Sequence, residues 1–90
     1  RPKLVVGFSA ETENLNRNAL SKLKRKNCDL IIANDISKKD SGFNSDYNRI
    51  SIIDNNGKIK IIKKSRKSFI ANKIVEFILG KLLVNDRNFN

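Results

Sequence analysis

The sequence is poor in the residues on which many enzyme mechanisms depend. In 90 residues it has no histidine, methionine or tryptophan, one proline, and one cysteine, Cys28. Without histidine the chain lacks the usual general base, the serine and cysteine triads that need one, and most zinc chemistry. A single cysteine excludes an internal disulfide framework and a zinc site built from several cysteines. No apolar run reaches the roughly 18 residues that a membrane span requires, and the first run, ended by Glu11, is too short for a secretory signal.

Negative charge is also scarce, and the chain is strongly basic as a result. Nineteen lysines and arginines stand against nine aspartates and glutamates, which gives a net charge of +10. Such a surface favours anionic partners, namely nucleic acid, nucleotide phosphates or an acidic membrane face. The net charge does not choose among them, and a basic composition without functional meaning explains it equally well.

The first half of the chain has the pattern of a βαβ unit within one small domain. Residues 4–9 (LVVGFS) and residues 30–33 (LIIA) are short apolar runs typical of buried strands. Between them, apolar residues at helical spacing predict a helix over residues 14–26, with its buried stripe made by Leu15, Ala19, Leu20 and Leu23. A strand, a helix and a strand with short connections predict two parallel strands.

The second half of the chain predicts a hairpin and a final helix. A polar loop over residues 35–48 leads to two alternating segments, residues 49–53 and 58–62, joined by a turn that contains Asn-Gly, a strong hairpin signal. Helical spacing of apolar residues then predicts a helix over residues 67–83. The expected order is β-α-β-β-β-α, with four strands in one sheet and helices covering it.

The sheet predicted in this way is thin for an α/β fold, and its first strand starts almost at the first residue. We therefore expect residues 1–84 to be the C-terminal part of a larger α/β domain, with residues 85–90 as a polar tail.

Two places in the chain are candidates for binding an anionic ligand. Ligands of open parallel sheets bind beyond the carboxyl ends of the strands. Phe8 is placed there to pack on a base, although a core phenylalanine is the commoner explanation. Lys22 and Lys26, at i and i+4, share one helix face, where like charges repel unless an anion lies nearby; a solvated basic face also explains them. No Walker-type or GxGxxG loop is present. Cys28 is expected to be a buried structural thiol because no histidine can activate it.

Three motifs in consistent order resemble one enzyme family. Residues 4–12 (LVVGFSAET) are similar to the GFAAET segment of phosphopantothenate–cysteine ligase, also called phosphopantothenoylcysteine synthetase. Residues 22–35 (KLKRKNCDLIIAND) resemble the family's KxxRKxxDLIxANDV stretch, and residues 42–48 (GFNSDYN) resemble its GFxSDxN loop. The resemblance covers residues 4–83. In bacteria this ligase is usually the C-terminal half of a bifunctional coenzyme A biosynthesis flavoprotein.

The resemblance implies a Rossmann-like fold and a ligase that joins 4'-phosphopantothenate to cysteine. Bacterial members use CTP: carboxylate attack gives an acyl-cytidylate and pyrophosphate, and the cysteine amine then displaces CMP. In the family a phenylalanine and two lysines contact the CTP, and the matching positions here are Phe8, Lys22 and Lys26. Ser9 replaces the family's commoner alanine, which is a small change.

The resemblance also implies what this chain does not supply. The family's acyl-cytidylate-binding asparagine, its AAVAD-type segment and its mobile lysine flap all precede the matching region, so we expect no catalytic residue and no Mg²⁺ ligand here. FMN belongs only to the separate decarboxylase domain of the longer protein. We expect a cytoplasmic chain that works in a homodimer or with an upstream half of the ligase domain, and that is inactive alone.

Two other interpretations stay open from the sequence alone. One is a small basic nucleic-acid-binding module, although the five phenylalanines and the single tyrosine are not interleaved with basic residues as a stacking platform requires. The other is an inactive remnant that keeps the ligase fold. The residues themselves also do not distinguish CTP from ATP.

Overall fold

The computed structural model describes residues 4–38 and 45–89, with side chains described as far as residue 83. Two strands separated by a helix come first, then a hairpin of longer strands, then a long helix. The elements are β1 (Val6–Glu11), α1 (Leu15–Arg25), β2 (Leu30–Asp35), β3 (Tyr47–Asp54), β4 (Ile59–Arg66) and α2 (Lys67–Phe89). The order predicted from the sequence is confirmed.

The four strands form one sheet in the order β1-β2-β3-β4. Strands β1 and β2 are parallel, with Val6 opposite Leu30 and Glu11 opposite Asp35. Strands β3 and β4 add to β2 as an antiparallel hairpin. The predicted α/β class is therefore confirmed, and the sheet is mixed because the hairpin extends a parallel pair.

One face of the sheet is covered by α1. This helix buries Ala19 and Leu23 against Ile31 and other odd-numbered residues of the sheet. Gly7 in β1 faces the same way, since a Cβ at this position would lie 2.9 Å from the sulfur of Cys28. Cys28 is buried, as the sequence predicted, and β1 approaches it closely because residue 7 has no side chain.

The other face of the sheet is covered by α2. The even-numbered residues of β2 and β3, Leu30, Ile32, Ile50 and Ile52, pack there with Ile62 of β4 and Ile70 of α2. The half-buried side chains of Ile74, Phe77 and Ile78 extend this cluster along the helix. The alternation of sides along each strand thus divides the core into two layers, one under each helix.

The hairpin turn is organised by the buried carboxylate of Asp54. Its Oδ1 accepts hydrogen bonds from the backbone N–H groups of Asn56 and Lys58, each at 2.9 Å. Its Oδ2 lies 3.1 Å from Nζ of Lys81 in α2. Gly57 has a φ of 86°, whereas neither asparagine of the turn has a positive φ, so the loop is not a two-residue primed turn. One side chain therefore closes the turn and ties α2 to it.

Several elements extend beyond their predicted ends. The hairpin arms include polar residues at the end of β4, where alternation is lost, and α1 starts and stops one residue inside the predicted range. Helix α2 was expected to end at residue 83 but continues to Phe89, because no glycine or proline follows Gly80 and lengthening an existing helix costs little. Over the described residues, neither helix combines the length and the apolar character that crossing a bilayer demands.

Candidate functional site

The carboxyl end of β1 lies at an open edge of the sheet. Within the described residues, β1 pairs with β2 and with no other strand. Gly7 faces α1, so the next residue, Phe8, faces the opposite side of the sheet, and Glu11 again faces α1. This edge therefore presents different side chains on its two sides.

On the α1 side, the edge holds a buried carboxylate and a lysine. Glu11 is 5% exposed, and its Oε2 lies 2.7 Å from Nζ of Lys22. Side chains on a helix lean toward its N-terminus, so Lys22 reaches from the last turn of α1 back to the end of β1. The ammonium group of Lys22 is thus fixed at the carboxyl end of the strand, and sequence reasoning did not identify Glu11 as its partner.

Lys26 lies one helical turn beyond Lys22, outside α1 proper. It is the C-cap residue, and its N–H donates to the carbonyl of Lys22 at 3.0 Å. The next two N–H groups, of Asn27 and Cys28, donate to Lys24 and Leu23 in a Schellman motif, with Asn27 at a φ of 54°. The exposed side chain of Lys26 is therefore at the end of α1 that is farther from the carboxyl ends of β1 and β2.

On the α2 side of the edge, Phe8 is 62% exposed, so it is not a core residue. Two asparagines lie along the same side. Asn34, the second-last residue of the second motif, donates from Nδ2 to the carbonyl of Ser9 at 3.3 Å, and Asn48 donates to the side-chain oxygen of Asn34. The motif that contains Asn34 was a signal for this network, although the residue itself was not singled out.

The structure thus brings Lys22 and Lys26 onto neighbouring turns but places Phe8 on the opposite side of the sheet. A ligand that contacts both Phe8 and Lys22 must pass around the free edge of β1. The described residues flank this edge on one side only, so they do not by themselves enclose such a ligand.

Asp35 ends β2 directly opposite Glu11. Burial opposes its ionisation, but hydrogen bonds from the Ser37 hydroxyl and N–H, together with the charges of Arg49 and Lys38, outweigh burial and lower the pKa of Asp35. A carboxyl group with a lowered pKa is ionised at neutral pH and does not serve as a proton donor there. Asp35 balances positive charge at this end of the sheet.

Within residues 4–38 and 45–83, no three histidine, cysteine, aspartate or glutamate side chains lie together. Residues 42–44 of the third motif lie outside the described residues.

The structure has a parallel strand pair flanked by helices, and charged side chains lie at the carboxyl end of its open edge strand. These features define the class of α/β ligand-binding domains. The family is more specific: residues 1–82 match the model described as "DFP: DNA/pantothenate metabolism flavoprotein C-terminal domain". The chain belongs to this family. The resemblance drawn from the three motifs is confirmed, since this family is the C-terminal, ligase part of the bifunctional coenzyme A biosynthesis protein.

Individual relatives agree with the family. The chain is 41% identical over 77 residues to the coenzyme A biosynthesis bifunctional protein CoaBC of Escherichia coli (strain K12), covering 86% of this chain and 19% of the relative. It is 42% identical over 77 residues to a "Cysteine/Cysteine sulfinic acid decarboxylase" of an unknown prokaryotic organism, covering 86% of this chain and 21% of the relative. The chain thus spans about a fifth of the length of these curated relatives.

The fold has a matching solved structure. The crystal structure of the C-terminal domain of CoaBC superimposes with a TM-score of 0.69 and 28% identity, covering 92% of this chain and 36% of that chain. The three-layer arrangement around a mixed sheet is therefore an arrangement that this family adopts.

Proposed function

We propose that this chain supplies part of the CTP-binding site of a phosphopantothenate–cysteine ligase, which joins 4'-phosphopantothenate to cysteine in the cytoplasm. The observation that carries the proposal is the Lys22–Glu11 pair, a lysine held by a buried carboxylate at the carboxyl end of an open parallel strand. This is the place where open α/β sheets bind their ligands. The resemblance to the ligase family supports the proposal, because it implies that the matching positions, Phe8, Lys22 and Lys26, contact CTP.

In this proposal Lys22 binds a phosphate of the nucleotide. Its ammonium group is 2.7 Å from Glu11, and its side chain is still 32% exposed, so it has room for a second, anionic partner. Glu11 acts as a positioning residue, because it holds the lysine in one place before the ligand arrives. Fixed positive charge at a phosphoryl group stabilises the negative charge that develops when the acyl-cytidylate forms.

Lys26 and Phe8 complete the contribution of this chain. Lys26 adds a second positive charge one turn along α1, and the exposed ring of Phe8 offers a flat surface for a base. Since Phe8 lies on the other side of the sheet, the nucleotide extends around the edge of β1. The catalytic groups and the Mg²⁺ ligands come from the rest of the ligase domain, and FMN has no role at this site.

The proposal is tested by CTP titration of the chain supplied with the remaining part of the ligase domain from the Escherichia coli relative. Lys22→Ala and Lys26→Ala are each expected to weaken CTP binding by ten- to over a hundredfold, since a charge-assisted contact contributes roughly 1.5–3 kcal/mol. Lys24→Ala is the matched control: it removes the same charge from an exposed position of α1 between the other two. Equal losses in all three variants would show general basicity rather than a site.

A second variant background distinguishes an effect of Lys22→Ala on CTP binding from an effect on folding. Lys22→Ala also leaves the buried carboxylate of Glu11 without its partner, which destabilises the fold. In a Glu11→Gln background this penalty is absent, and Lys22→Ala should still weaken CTP binding. Loss of the Lys22 effect in this background, or equally tight binding of any polynucleotide, would contradict the proposal.

We further propose that the free edge of β1 pairs with a strand from the rest of the ligase domain or from a second copy of the chain. An uncovered edge offers unpaired backbone groups to another strand. Light scattering on the chain alone should detect a dimer or a larger species. Phe8→Lys, which adds a charge to the edge strand, should dissociate it. A monomer at high concentration, with no association on adding the remaining part of the domain, would contradict this assembly.

A further inference from the structure

One buried polar group of the edge strand β1 has no partner in the fold. The Oγ of Ser9 is shielded from solvent, and no hydrogen bond satisfies it within the described residues. Ser9 as a whole is 8% exposed, and it faces α1, as Gly7 and Glu11 do. Buried polar groups in native proteins nearly always have a partner, so an exception beside a candidate site points to a role in that site.

The surroundings of Ser9 explain why its hydroxyl is unpaired. Across the strand pair it is opposite Ala33, and along β1 its neighbours on the same face are Gly7 and Glu11. Within the described residues, no strand lies on its other side. Neither Ala33 nor Gly7 has a polar side-chain atom. Of these three neighbours, Glu11 alone offers a side-chain acceptor for the hydroxyl of Ser9.

The carboxylate of Glu11 is held by Lys22 in the free protein. The Oε2 of Glu11 is buried, and it accepts a hydrogen bond of 2.7 Å from Nζ of Lys22. An anion that binds to Lys22 draws the ammonium group toward itself and also brings a second negative charge close to Glu11. A buried carboxylate that loses its cationic partner is strongly destabilising. The bound state therefore needs another donor for Glu11.

We propose that Ser9 is a positioning residue of the nucleotide site: when an anion binds to Lys22, the hydroxyl of Ser9 donates to the carboxylate of Glu11. Residues two apart on one face of a strand are separated by about 6.4–6.8 Å, a span that a glutamate and a serine side chain bridge together. The unpaired hydroxyl destabilises the free protein, and its new hydrogen bond stabilises the bound one. The inference rests on the proposed CTP site and adds to it a residue that does not touch the ligand.

This role predicts opposite effects of one substitution on folding and on binding. Ser9→Ala is made in the chain supplied with the remaining part of the ligase domain from the Escherichia coli relative. Without CTP the melting temperature should rise, because an unpaired buried hydroxyl is removed. CTP binding, measured by calorimetric titration, should weaken about three- to tenfold, which is the effect of losing one hydrogen bond in the bound state. A purely structural serine would not change the two quantities in opposite directions.

Ser51 provides a matched control. It lies in β3 opposite Ala33, so Ala33 stands between Ser9 and Ser51 at one level of the sheet. Ser51 is 6% exposed, but it is two strands away from β1 and from Glu11. Ser51→Ala removes the same hydroxyl group and should change CTP binding by less than about twofold, since distant sites act independently.

A double-mutant cycle tests the partner of Ser9. In a Glu11→Gln background the buried charge is absent, so Ser9→Ala should weaken CTP binding by less than about twofold. An equal loss in both backgrounds would overturn the inference, as would a lower melting temperature of Ser9→Ala without CTP. Unchanged CTP binding in Ser9→Ala, with a loss in Lys22→Ala, would overturn the role of Ser9 and leave the CTP site standing. Unchanged binding in Lys22→Ala would overturn both.

Discussion

The two edge strands of the sheet differ in charge and in regularity. β4 forms one edge, where its pairing with β3 contains a bulge and where four cations are exposed: Lys60, Lys63, Lys64 and Arg66. Lysines and bulges are the devices by which natural sheets prevent other strands from pairing with an edge. β1 forms the other end, and from Val6 to Ala10 it carries no charge at all.

The difference also separates the two halves of the fold. The hairpin and α2 form a closed unit, because Asp54 joins the turn to the helix through Lys81 and the cations protect the outer strand. The β1-α1-β2 unit is open, with an apolar edge next to the residues proposed to bind nucleotide. In this family member, the edge that is ready for a further strand and the candidate site are therefore the same place.

The largest expected effect comes from breaking the closed half at Asp54. Asp54→Ala leaves two backbone N–H groups and Lys81 without their acceptor, and we expect the free energy of unfolding to fall by about 2–4 kcal/mol. Urea denaturation measures this loss. Asp46→Ala, which removes an exposed carboxylate from the same half, should change stability by less than about 0.5 kcal/mol. Equal losses for the two variants would show that the Asp54 contacts do not hold the hairpin to α2.

The same carboxylate predicts a dependence on pH. Burial raises the pKa of Asp54, but hydrogen bonds from Lys58, Lys81 and Asn56 and the charge of Lys81 outweigh burial and lower it below the ordinary value. A depressed pKa means that the contribution of Asp54 is fully present above about pH 4 and is lost as the pH falls through the folded-state pKa. Asp54→Asn should flatten the acid side of the stability curve; the remaining slope includes Asp35.

The next effect tests packing in the open half. A methyl group at residue 7 would lie 2.9 Å from the sulfur of Cys28, so Gly7→Ala should lower the free energy of unfolding by about 1–3 kcal/mol. In a Cys28→Ala background the sulfur is gone, and the same substitution should cost less than half as much. A cost that is the same in both backgrounds would assign the effect to the backbone of β1 rather than to the contact with Cys28.

A smaller effect has the opposite sign. The Ser9 hydroxyl is buried on the α1 face and has no hydrogen-bond partner among the described residues. A buried hydroxyl without a partner costs about 1–3 kcal/mol, so Ser9→Ala should raise the free energy of unfolding by about 1 kcal/mol. Thermal denaturation checks the direction. A lower melting temperature would mean that the hydroxyl has a partner within the folded chain.

The smallest effect is expected at Gly80, and Gly57 in the same half provides the comparison. A Cβ at Gly80 in α2 meets nothing within 4 Å, so Gly80→Ala should raise stability by about 0.4–1 kcal/mol. Gly57 also has open space around it, but its φ of 86° disfavours any side chain. Gly57→Ala should therefore lower stability by about 1–2 kcal/mol. Chemical denaturation of both variants tests whether backbone conformation, rather than space, decides the sign.

The fold could be predicted largely from the sequence because its signals are local. The two apolar runs, the helical stripe of α1 and the alternating hairpin arms each occupy a short stretch, and each was confirmed. The ends of β4 and α2 were missed, because the residues that extend them are polar and follow no alternation. The helix continues past residue 83 because lengthening an existing helix costs little, not because its side chains follow a pattern there.

The residues of the candidate site remain a prediction from the sequence, whereas their geometry could not be predicted from it. Helical spacing placed Lys22 and Lys26 together, yet Glu11, which positions Lys22, lies 11 residues away in another element. Likewise, only the register of β1 on β2 and the direction of Gly7 show that Phe8 faces away from Lys22. Long-range pairings of this kind depend on tertiary packing, which local patterns do not contain.

The junction of β4 and α2 constrains how this segment changes length in evolution. Arg66 ends the strand, Lys67 begins the helix, and the N–H of Lys67 donates to the carbonyl of Asp46 at 3.0 Å. With no linker to absorb it, deleting one residue from β4 would turn α2 by about 100° around its axis and carry Ile70 off the sheet. Insertions and deletions in this half should therefore accumulate in the exposed hairpin loop, at Asn55 and Asn56, and be purged from the strand that follows.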